Sequence, residues 1–293
     1  MLLKGISPAL VTPLDSDERI NVPELKRLLE FFIEKGATGF YIGGATGEGL
    51  NLRVEEREIL AEESVKAIAG RATSIVQIAS TNFNDMVTLA RQAESVGATA
   101  ISATAPLFFK YSEENVYNYY KKIAEAVHIP VMMYYSPLAN FNMTADFVKK
   151  VFEIDNVTSI KWTSSNYHEM MKLKEITHGE MNIINGPDEM LLMGLNAGAD
   201  GGIGSTYNFM FEKYQSIYDN FVSGNIPEAQ RVQTEASMII SALQKYGNII
   251  PTTKVLMEEL GFAVGNATFP MTQYTDEQRA NVLAAARNAG LKI

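Results

Sequence analysis

The sequence predicts an α/β fold, a (βα)8 TIM barrel followed by a C-terminal helical extension. Short apolar segments alternate with amphipathic helical segments over much of the chain, and eight such units favour a closed barrel. The apolar segments lack strict alternation, as expected of parallel strands covered on both faces. An open doubly wound sheet is the main rival. Thr12–Asp15 stands where that fold would carry a glycine-rich dinucleotide-binding turn.

The strand and helix candidates follow one another in regular order. The helices carry apolar residues at helical spacing, and several end at a glycine suited to a left-handed C-cap. The predicted strands are Ile6–Thr12, Gly39–Ile42, Ser74–Ala79, Ala100–Ala103, Val131–Tyr134, Val157–Lys161, Met181–Ile184 and Gly201–Ile203. The helices between them are Val22–Lys35, Arg53–Ala69, Asp85–Val96, Glu113–Ala126, Ala145–Phe152, Tyr167–Thr177 and Glu189–Ala197.

After Asn208 the pattern becomes wholly helical. The predicted helices there are Phe211–Val222, Pro227–Tyr246, Thr252–Leu260 and Thr275–Ala289. No linker rich in proline, glycine or serine precedes them. We therefore expect residues 1–207 to form the barrel core, and residues 208–293 to supply the last barrel helix and an extension within the same domain.

The composition excludes several classes of function. A net charge of −9 argues against non-specific binding to nucleic acid or anionic membranes, which needs clustered Lys and Arg. The chain has no cysteine, so disulfides, zinc–thiolate sites and thiol nucleophiles are excluded. The first residues lack the features of a signal peptide, and no apolar run reaches the roughly 20 residues of a membrane span. We expect a cytoplasmic protein.

Lys161 is the first candidate for chemistry, because it ends the sixth predicted strand and active sites of such barrels lie at the carboxyl ends of the strands. Burying an ammonium without a partner is costly, which favours the neutral amine that attacks ketones. The alternative is a lysine that extends from the strand end to water. Tyr134 ends the neighbouring fifth strand, where its phenol could shuttle protons or simply pack. Tyr135 competes with it for the inward position.

Three loops at the same end of the barrel carry polar groups. Gly43–Glu48 includes Ala45, Thr46 and Gly47, and its backbone N–H groups could form a nest for a carboxylate or a plain turn. The loop Gly186–Glu189 and the segment Gly201–Thr206 place carboxylates and hydroxyls that suit a polyhydroxylated substrate. Asp188 and Glu189 could equally cap a helix. The three histidines have no metal-ligand spacing, so we predict no metal.

These motifs together resemble the N-acetylneuraminate lyase / dihydrodipicolinate synthase family of class I aldolases. The resemblance rests on Gly39–Glu48, on Tyr134-Tyr135-Ser136-Pro137 and on Lys161, and it extends over nearly the whole chain. It implies that Lys161 forms a Schiff base with the C2 carbonyl of pyruvate, and that Tyr134 passes a proton to or from the C4 hydroxyl. It also implies that Thr46 and the Gly47 amide hold the pyruvate carboxylate, and that the enzyme is a homotetramer without a cofactor.

The branch within the family follows from further motifs. The synthase branch carries an arginine where this chain has Ala139. The lyase branch is similar to this chain at Lys161-Trp162-Thr163, Gly186–Glu189 and Gly202–Asn208. This likeness implies that the sugar hydroxyls are bound by Thr163, Gly186, Asp188, Glu189 and Ser205. It implies reversible cleavage of N-acetylneuraminate to N-acetylmannosamine and pyruvate.

Two positions depart from the lyase pattern. Ala45 replaces a serine or threonine, and Phe108 replaces a tyrosine that the family supplies from a neighbouring subunit. In the family that this chain resembles, both hydroxyls belong to a proton relay with the catalytic tyrosine. The alternatives are therefore an aldolase for another 2-keto-3-deoxy sugar acid, a synthase-like enzyme, and a non-catalytic sugar-acid binding protein.

Overall fold

A computed structural model describes residues 2–136 and 139–293, so Pro137 of the strand-five motif lies outside the described residues. Eight parallel strands form one sheet in the order β1-β8-β7-β6-β5-β4-β3-β2. The sheet closes where Ala9 bridges to Tyr41 and the Leu10 N–H donates to the Tyr41 carbonyl at 3.0 Å. The predicted barrel is confirmed.

The strands are β1 (Gly5–Pro8), β2 (Gly39–Ile42), β3 (Thr73–Gln77), β4 (Ala100–Thr104), β5 (Val131–Tyr135), β6 (Val157–Trp162), β7 (Asn182–Asn185) and β8 (Gly201–Gly204). The helices are α1 (Val22–Glu34), α2 (Val54–Ile68), α3 (Phe83–Ser95), α4 (Glu113–Ala124), α5 (Ala145–Phe152), α6 (Tyr167–Ile176), α7 (Leu191–Asn196), α8 (Tyr207–Val222), α9 (Ile226–Gln244), α10 (Ile249–Glu259) and α11 (Asp276–Asn288).

The first predicted strand is longer than the observed one, because a side chain replaces strand partners beyond Pro8. The Asn208 amide donates to the Ala9 carbonyl at 2.8 Å, and its oxygen accepts from the Val11 N–H at 3.1 Å. These bonds satisfy the backbone outside the ladder. Asn208 lies inside α8, which begins at Tyr207 and not at Phe211, with a non-helical residue at Met210.

The helix predicted over Glu189–Ala197 is divided. A short 3₁₀ turn spans Asp188–Met190, and α7 begins at Leu191. The cause is Gln233 of α9, whose amide donates to the Asp188 carbonyl at 3.2 Å and accepts from the Leu192 N–H at 2.9 Å. The C-terminal extension therefore holds this turn in place.

Two apolar layers build the core. One fills the inside of the barrel with Tyr41, Met132, Tyr134, Ile184 and their neighbours. The larger layer lies between the strands and the surrounding helices and continues into the C-terminal extension. Among the helices within residues 2–136 and 139–293, none is both long enough and apolar enough to cross a bilayer.

Candidate active site

Lys161 and Tyr134 lie side by side where β6 and β5 end. The two residues are paired in register, so both side chains point to the same face of the sheet, the inside of the barrel. Only 7% of each residue is exposed. Within the described part of the chain, Lys161 has no carboxylate within ion-pair distance. Lys161 therefore does not extend to water, and Tyr135 does not occupy the inward position.

Aromatic rings surround the Lys161 amine. Its Nζ lies 4.5 Å from the ring centroid of Tyr134 and 4.8 Å from that of Tyr41 on β2. The Tyr41 hydroxyl donates to Ser102 Oγ at 2.9 Å, which fixes the ring across the barrel. The sequence reasoning missed Tyr41, because a tyrosine in a short apolar strand carries no sign of which residue it meets inside the barrel.

The environment of Tyr134 favours a phenol that can release its proton. Burial raises the pKa of Tyr134, but the positive charge of Lys161 and the hydroxyls of Ser136 and Thr163 lower it below its ordinary value of 10.0. Tyr135 instead packs against Trp162, and its hydroxyl donates to Asn142 at 2.8 Å. Tyr134 therefore points to the inside of the barrel, and Tyr135 points to the outer face of the sheet.

The glycine-rich loop after β2 presents free donors. Within residues 2–136 and 139–293, the backbone N–H groups of Thr46 and Gly47 donate no hydrogen bond to a protein acceptor, although both residues are buried. Thr12 Oγ1 donates to the Gly47 carbonyl at 2.6 Å, and Thr46 Oγ1 lies 2.6 Å from Ser205 Oγ. Free N–H groups beside hydroxyls can bind a carboxylate. Ala45 is exposed beside them.

A cavity of about 530 Å³ opens next to these groups. All five residues predicted to bind sugar hydroxyls line it: Thr163, Gly186, Asp188, Glu189 and Ser205. Lys161, Tyr134 and Thr46 are not part of this lining. They are connected to it through the contact of Thr46 with Ser205, and through Thr163 beside Tyr134. The volume lies in the range of small-molecule sites.

The C-terminal extension supplies the other wall of the cavity. It is lined opposite the strand ends by Ile240 and Gln244 of α9, by Gly247 in the turn between α9 and α10, and by Ile249 of α10. The sequence reasoning did not identify these residues, because nothing in a helical pattern indicates which distant loop a helix covers.

Asp188 is held by a network of hydroxyls. Its Oδ2 accepts from the Thr206 N–H and from Thr206 Oγ1, each at 2.7 Å, and the Tyr214 hydroxyl lies 2.6 Å from Thr206 Oγ1. Burial raises the pKa of Asp188 from 3.8 to about 6, although the bonds from Thr206 oppose this. A Cβ at Gly204 would collide with this carboxylate, so glycine is required there. Glu189, by contrast, is exposed.

We expect Asp188→Asn to change how stability depends on pH. Between pH 3.8 and about 6, Asp188 is protonated to a greater extent in the folded protein than in the unfolded chain. Ionising the buried carboxyl group therefore lowers the stability of the wild type as the pH rises through this window. Asparagine removes this cost. The difference in unfolding free energy between the variant and the wild type should shift in favour of the variant by about 2–3 kcal/mol from pH 4 to pH 7. Urea unfolding at both pH values measures it, and a difference that does not change with pH contradicts it.

The remaining predicted features are the histidines and two positions that distinguish branches of the family. All three histidines are exposed, and within the described residues no three His, Asp or Glu side chains are grouped as a metal site requires. Phe108 is 80% exposed on the loop after β4, with a φ of 74°. Ala139 is buried.

Comparisons with known proteins agree with this geometry. A sequence model of the Dihydrodipicolinate synthetase family matches residues 2–289. The N-acetylneuraminate lyase of Citrobacter koseri is 34% identical over 247 residues, which cover 84% of this chain and 83% of the relative.

Solved structures give the same result. Proteus mirabilis N-acetylneuraminate lyase superposes with a TM-score of 0.94 at 29% identity, covering 100% of both chains. A catalytic lysine mutant of Ruminococcus gnavus sialic acid aldolase superposes with a TM-score of 0.93 at 30% identity, covering 98% of this chain and 95% of that one. With a family match over nearly its whole length and these relatives, the chain belongs to the dihydrodipicolinate synthetase family.

Proposed function

We propose that the protein is a class I aldolase, a carbon–carbon lyase that reversibly cleaves N-acetylneuraminate to N-acetylmannosamine and pyruvate. The observation that carries the proposal is the buried Lys161 amine beside Tyr134, next to a cavity lined by Asp188, Thr163 and Ser205. The relatives named N-acetylneuraminate lyase or sialic acid aldolase support this reaction.

Lys161 acts as the nucleophile. Once it has given up a proton, its amine attacks the C2 carbonyl of the keto acid, and loss of water leaves an iminium ion between Nζ and C2. The iminium ion is the electron sink of the reaction, so the chemistry proposed here requires no metal, nucleotide or flavin. Tyr134 and Tyr41 present their rings to this nitrogen at 4.5 and 4.8 Å from the Lys161 Nζ position, within the range in which a ring attracts a cation.

Tyr134 acts as the acid–base group in the cleavage step. Its phenolate removes the proton of the C4 hydroxyl, the C3–C4 bond breaks, and the electron pair passes to the iminium to form an enamine. The C4 oxygen becomes the carbonyl of the released sugar aldehyde. Protonation of the enamine at C3 and hydrolysis of the resulting iminium then release pyruvate. The lowered pKa of Tyr134 suits this role, because the phenolate is formed more readily.

The two ends of the substrate have separate binding groups. The N–H groups of Thr46 and Gly47 and the Thr46 hydroxyl bind the carboxylate, with Ala45 beside them. The cavity binds the sugar, with Asp188, Glu189, Thr163 and Ser205 facing its hydroxyls and Gly186 allowing close approach. A site built to pair hydroxyls discriminates strongly against substrates that lack them.

The alternatives to this substrate differ in what occupies the cavity. A synthase reaction lacks support because Ala139 offers no charge for a second carboxylate. An aldolase for another 2-keto-3-deoxy sugar acid would use the same lysine and tyrosine. Cleavage rates on a panel of such acids separate the two: we expect N-acetylneuraminate to be cleaved with the highest kcat/KM, and a higher value for another acid would contradict the proposed substrate.

A non-catalytic binding protein is the alternative from another class, motivated by Ala45 and Phe108. A binder needs no buried amine without an ion-pair partner, and within residues 2–136 and 139–293 Lys161 is such an amine. The family's homotetramer is part of the proposal. The loop after β4 supports it, because Phe108 and Phe109 are 80% and 62% exposed and meet edge to face with their ring centroids 5.0 Å apart. Exposed aromatic clusters of this kind suit a subunit contact.

We expect Ala45→Ser combined with Phe108→Tyr to raise turnover, because the pair restores the two hydroxyls of the family's proton relay. Ala45 is exposed and Phe108 lies on an open loop, so neither change requires repacking of the core. The gain should be about tenfold in kcat, a part of the 10²–10⁴ that acid–base assistance supplies. Steady-state cleavage of N-acetylneuraminate measures it. An unchanged or lower kcat would mean that the relay does not limit this enzyme.

A further inference from the structure

The glycine-rich loop ends in a buried carboxylate that the proposed reaction does not use. Glu48 follows Gly47 directly, and its side chain is 0% exposed. Its backbone has a φ of 59°, in the left-handed region that glycine usually occupies. Such a conformation persists in a non-glycine residue only where the surroundings enforce it. The surroundings of Glu48 are therefore informative.

Within the described part of the chain, the side-chain partners of this carboxylate all come from the C-terminal extension. Lys254 of α10 places its Nζ 2.6 Å from Glu48 Oε1 and is itself 2% exposed. Glu48 Oε2 accepts from the Thr268 N–H at 2.6 Å and from the Thr268 hydroxyl at 2.9 Å. The Lys254 ammonium also donates to the Asn266 carbonyl at 2.8 Å. The loop after β2 is thus attached to residues more than 200 positions away.

Stability alone does not explain a buried ion pair. Desolvating two charges offsets most of their attraction, and apolar residues of similar volume often stabilise a protein as well or better. What the pair does supply is a single geometry: a salt bridge and two hydrogen bonds hold Glu48 where its backbone conformation is otherwise unfavourable. That backbone carries the preceding N–H groups of Gly47 and Thr46.

The geometry points to Glu48 and Lys254 as positioning residues that hold the Thr46–Gly47 donors in place for the substrate carboxylate. This inference rests on the proposed function, because it assigns that carboxylate to the loop. It gives the C-terminal extension a role in pyruvate recognition, separate from the cavity wall that α9 and α10 provide. Neither side chain lines the cavity, and both are buried, so we expect the effect in the recognition of the carboxylate and not in the amine chemistry itself.

The test replaces the ion pair by neutral groups of similar shape, Glu48→Gln with Lys254→Met. Imine formation on Lys161 is measured by borohydride trapping over a range of pyruvate concentrations, and again with pyruvamide, which carries the same ketone without the carboxylate charge. We expect the preference for pyruvate over pyruvamide to fall about tenfold, the effect of losing one well-placed charged hydrogen bond. Trapping by pyruvamide should change less than twofold.

A second ion pair in the same barrel provides the control. Lys174 and Asp200 lie 3.0 Å apart and are partly buried, and neither lines the cavity. Lys174→Met with Asp200→Asn should leave the preference for pyruvate unchanged. If the double variant at Glu48 does not fold, Thr268→Val removes one of the two hydrogen bonds from Thr268 to the carboxylate, and it should lower the preference about threefold.

An unchanged preference in a folded variant overturns the inference, and so does an equal loss with both ketones, which would indicate a general structural role. These outcomes are distinct from failure of the proposed function. If wild-type protein is not trapped by pyruvate at all, the Schiff-base chemistry itself is wrong. If wild type is trapped and the variant keeps its preference, only the role of the ion pair is wrong.

Discussion

Lys161→Met should abolish imine formation and lower cleavage by a factor on the order of 10⁴–10⁶, the range seen when a nucleophile is removed. Methionine fills the space between the rings of Tyr41 and Tyr134 but cannot attack a carbonyl. Folding should not suffer, because the lost amine has no ion-pair partner within residues 2–136 and 139–293. Intact mass after borohydride reduction with pyruvate, and the cleavage rate, are the measurements.

Lys149→Met is the matched control for this experiment. Lys149 is a partly exposed lysine of α5 that pairs with Glu153 at 2.9 Å, and its loss should change neither trapping nor cleavage. If Lys161→Met retained a mass gain comparable to wild type, another amine would be reacting. Retention of cleavage would remove Lys161 from the mechanism.

Tyr134→Phe should separate the two halves of the reaction. The phenyl ring keeps its contact with the Lys161 amine, so trapping by pyruvate should persist. Cleavage should fall by about 10²–10⁴ in kcat, because the proton of the C4 hydroxyl loses its acceptor. Single-turnover kinetics with N-acetylneuraminate, run beside pyruvate trapping, resolve the two effects.

Tyr135→Phe tests whether this effect belongs to position 134. Tyr135 also lines the cavity, but its hydroxyl is engaged by Asn142, so loss of that hydroxyl should change kcat less than about threefold. Full activity in Tyr134→Phe would refute its role as the proton carrier. Loss of trapping in that variant would assign the hydroxyl to imine formation instead.

The sequence predicts the features that follow from local pattern and parallel pairing. Lys161 and Tyr134 end successive predicted strands, and parallel strands bring their carboxyl ends to one edge, so the sequence alone predicts that they lie close together. The same reasoning places Asp188 and Ser205 on the neighbouring loops. The barrel itself follows from the count of strand–helix units.

The features that the sequence does not predict depend on tertiary contacts over long distances in the chain. Tyr41 meets Lys161 only because the barrel closes, and Lys254 meets Glu48 across more than 200 residues. The cavity wall formed by Ile240 and Ile249 depends on how the extension packs. The boundaries of β1 were wrong because the Asn208 amide, itself distant in sequence, takes over the backbone hydrogen bonds there.

The most direct test of the proposed chemistry is to locate the trapped pyruvate in the wild-type chain. Reduction of the iminium leaves a carboxyethyl group on the lysine nitrogen, and trypsin does not cleave after a lysine modified in this way. The proposed chemistry predicts one adduct per chain, in a peptide spanning residues 151–172 that keeps Lys161 uncleaved. No adduct, or an adduct on any other lysine, would contradict it.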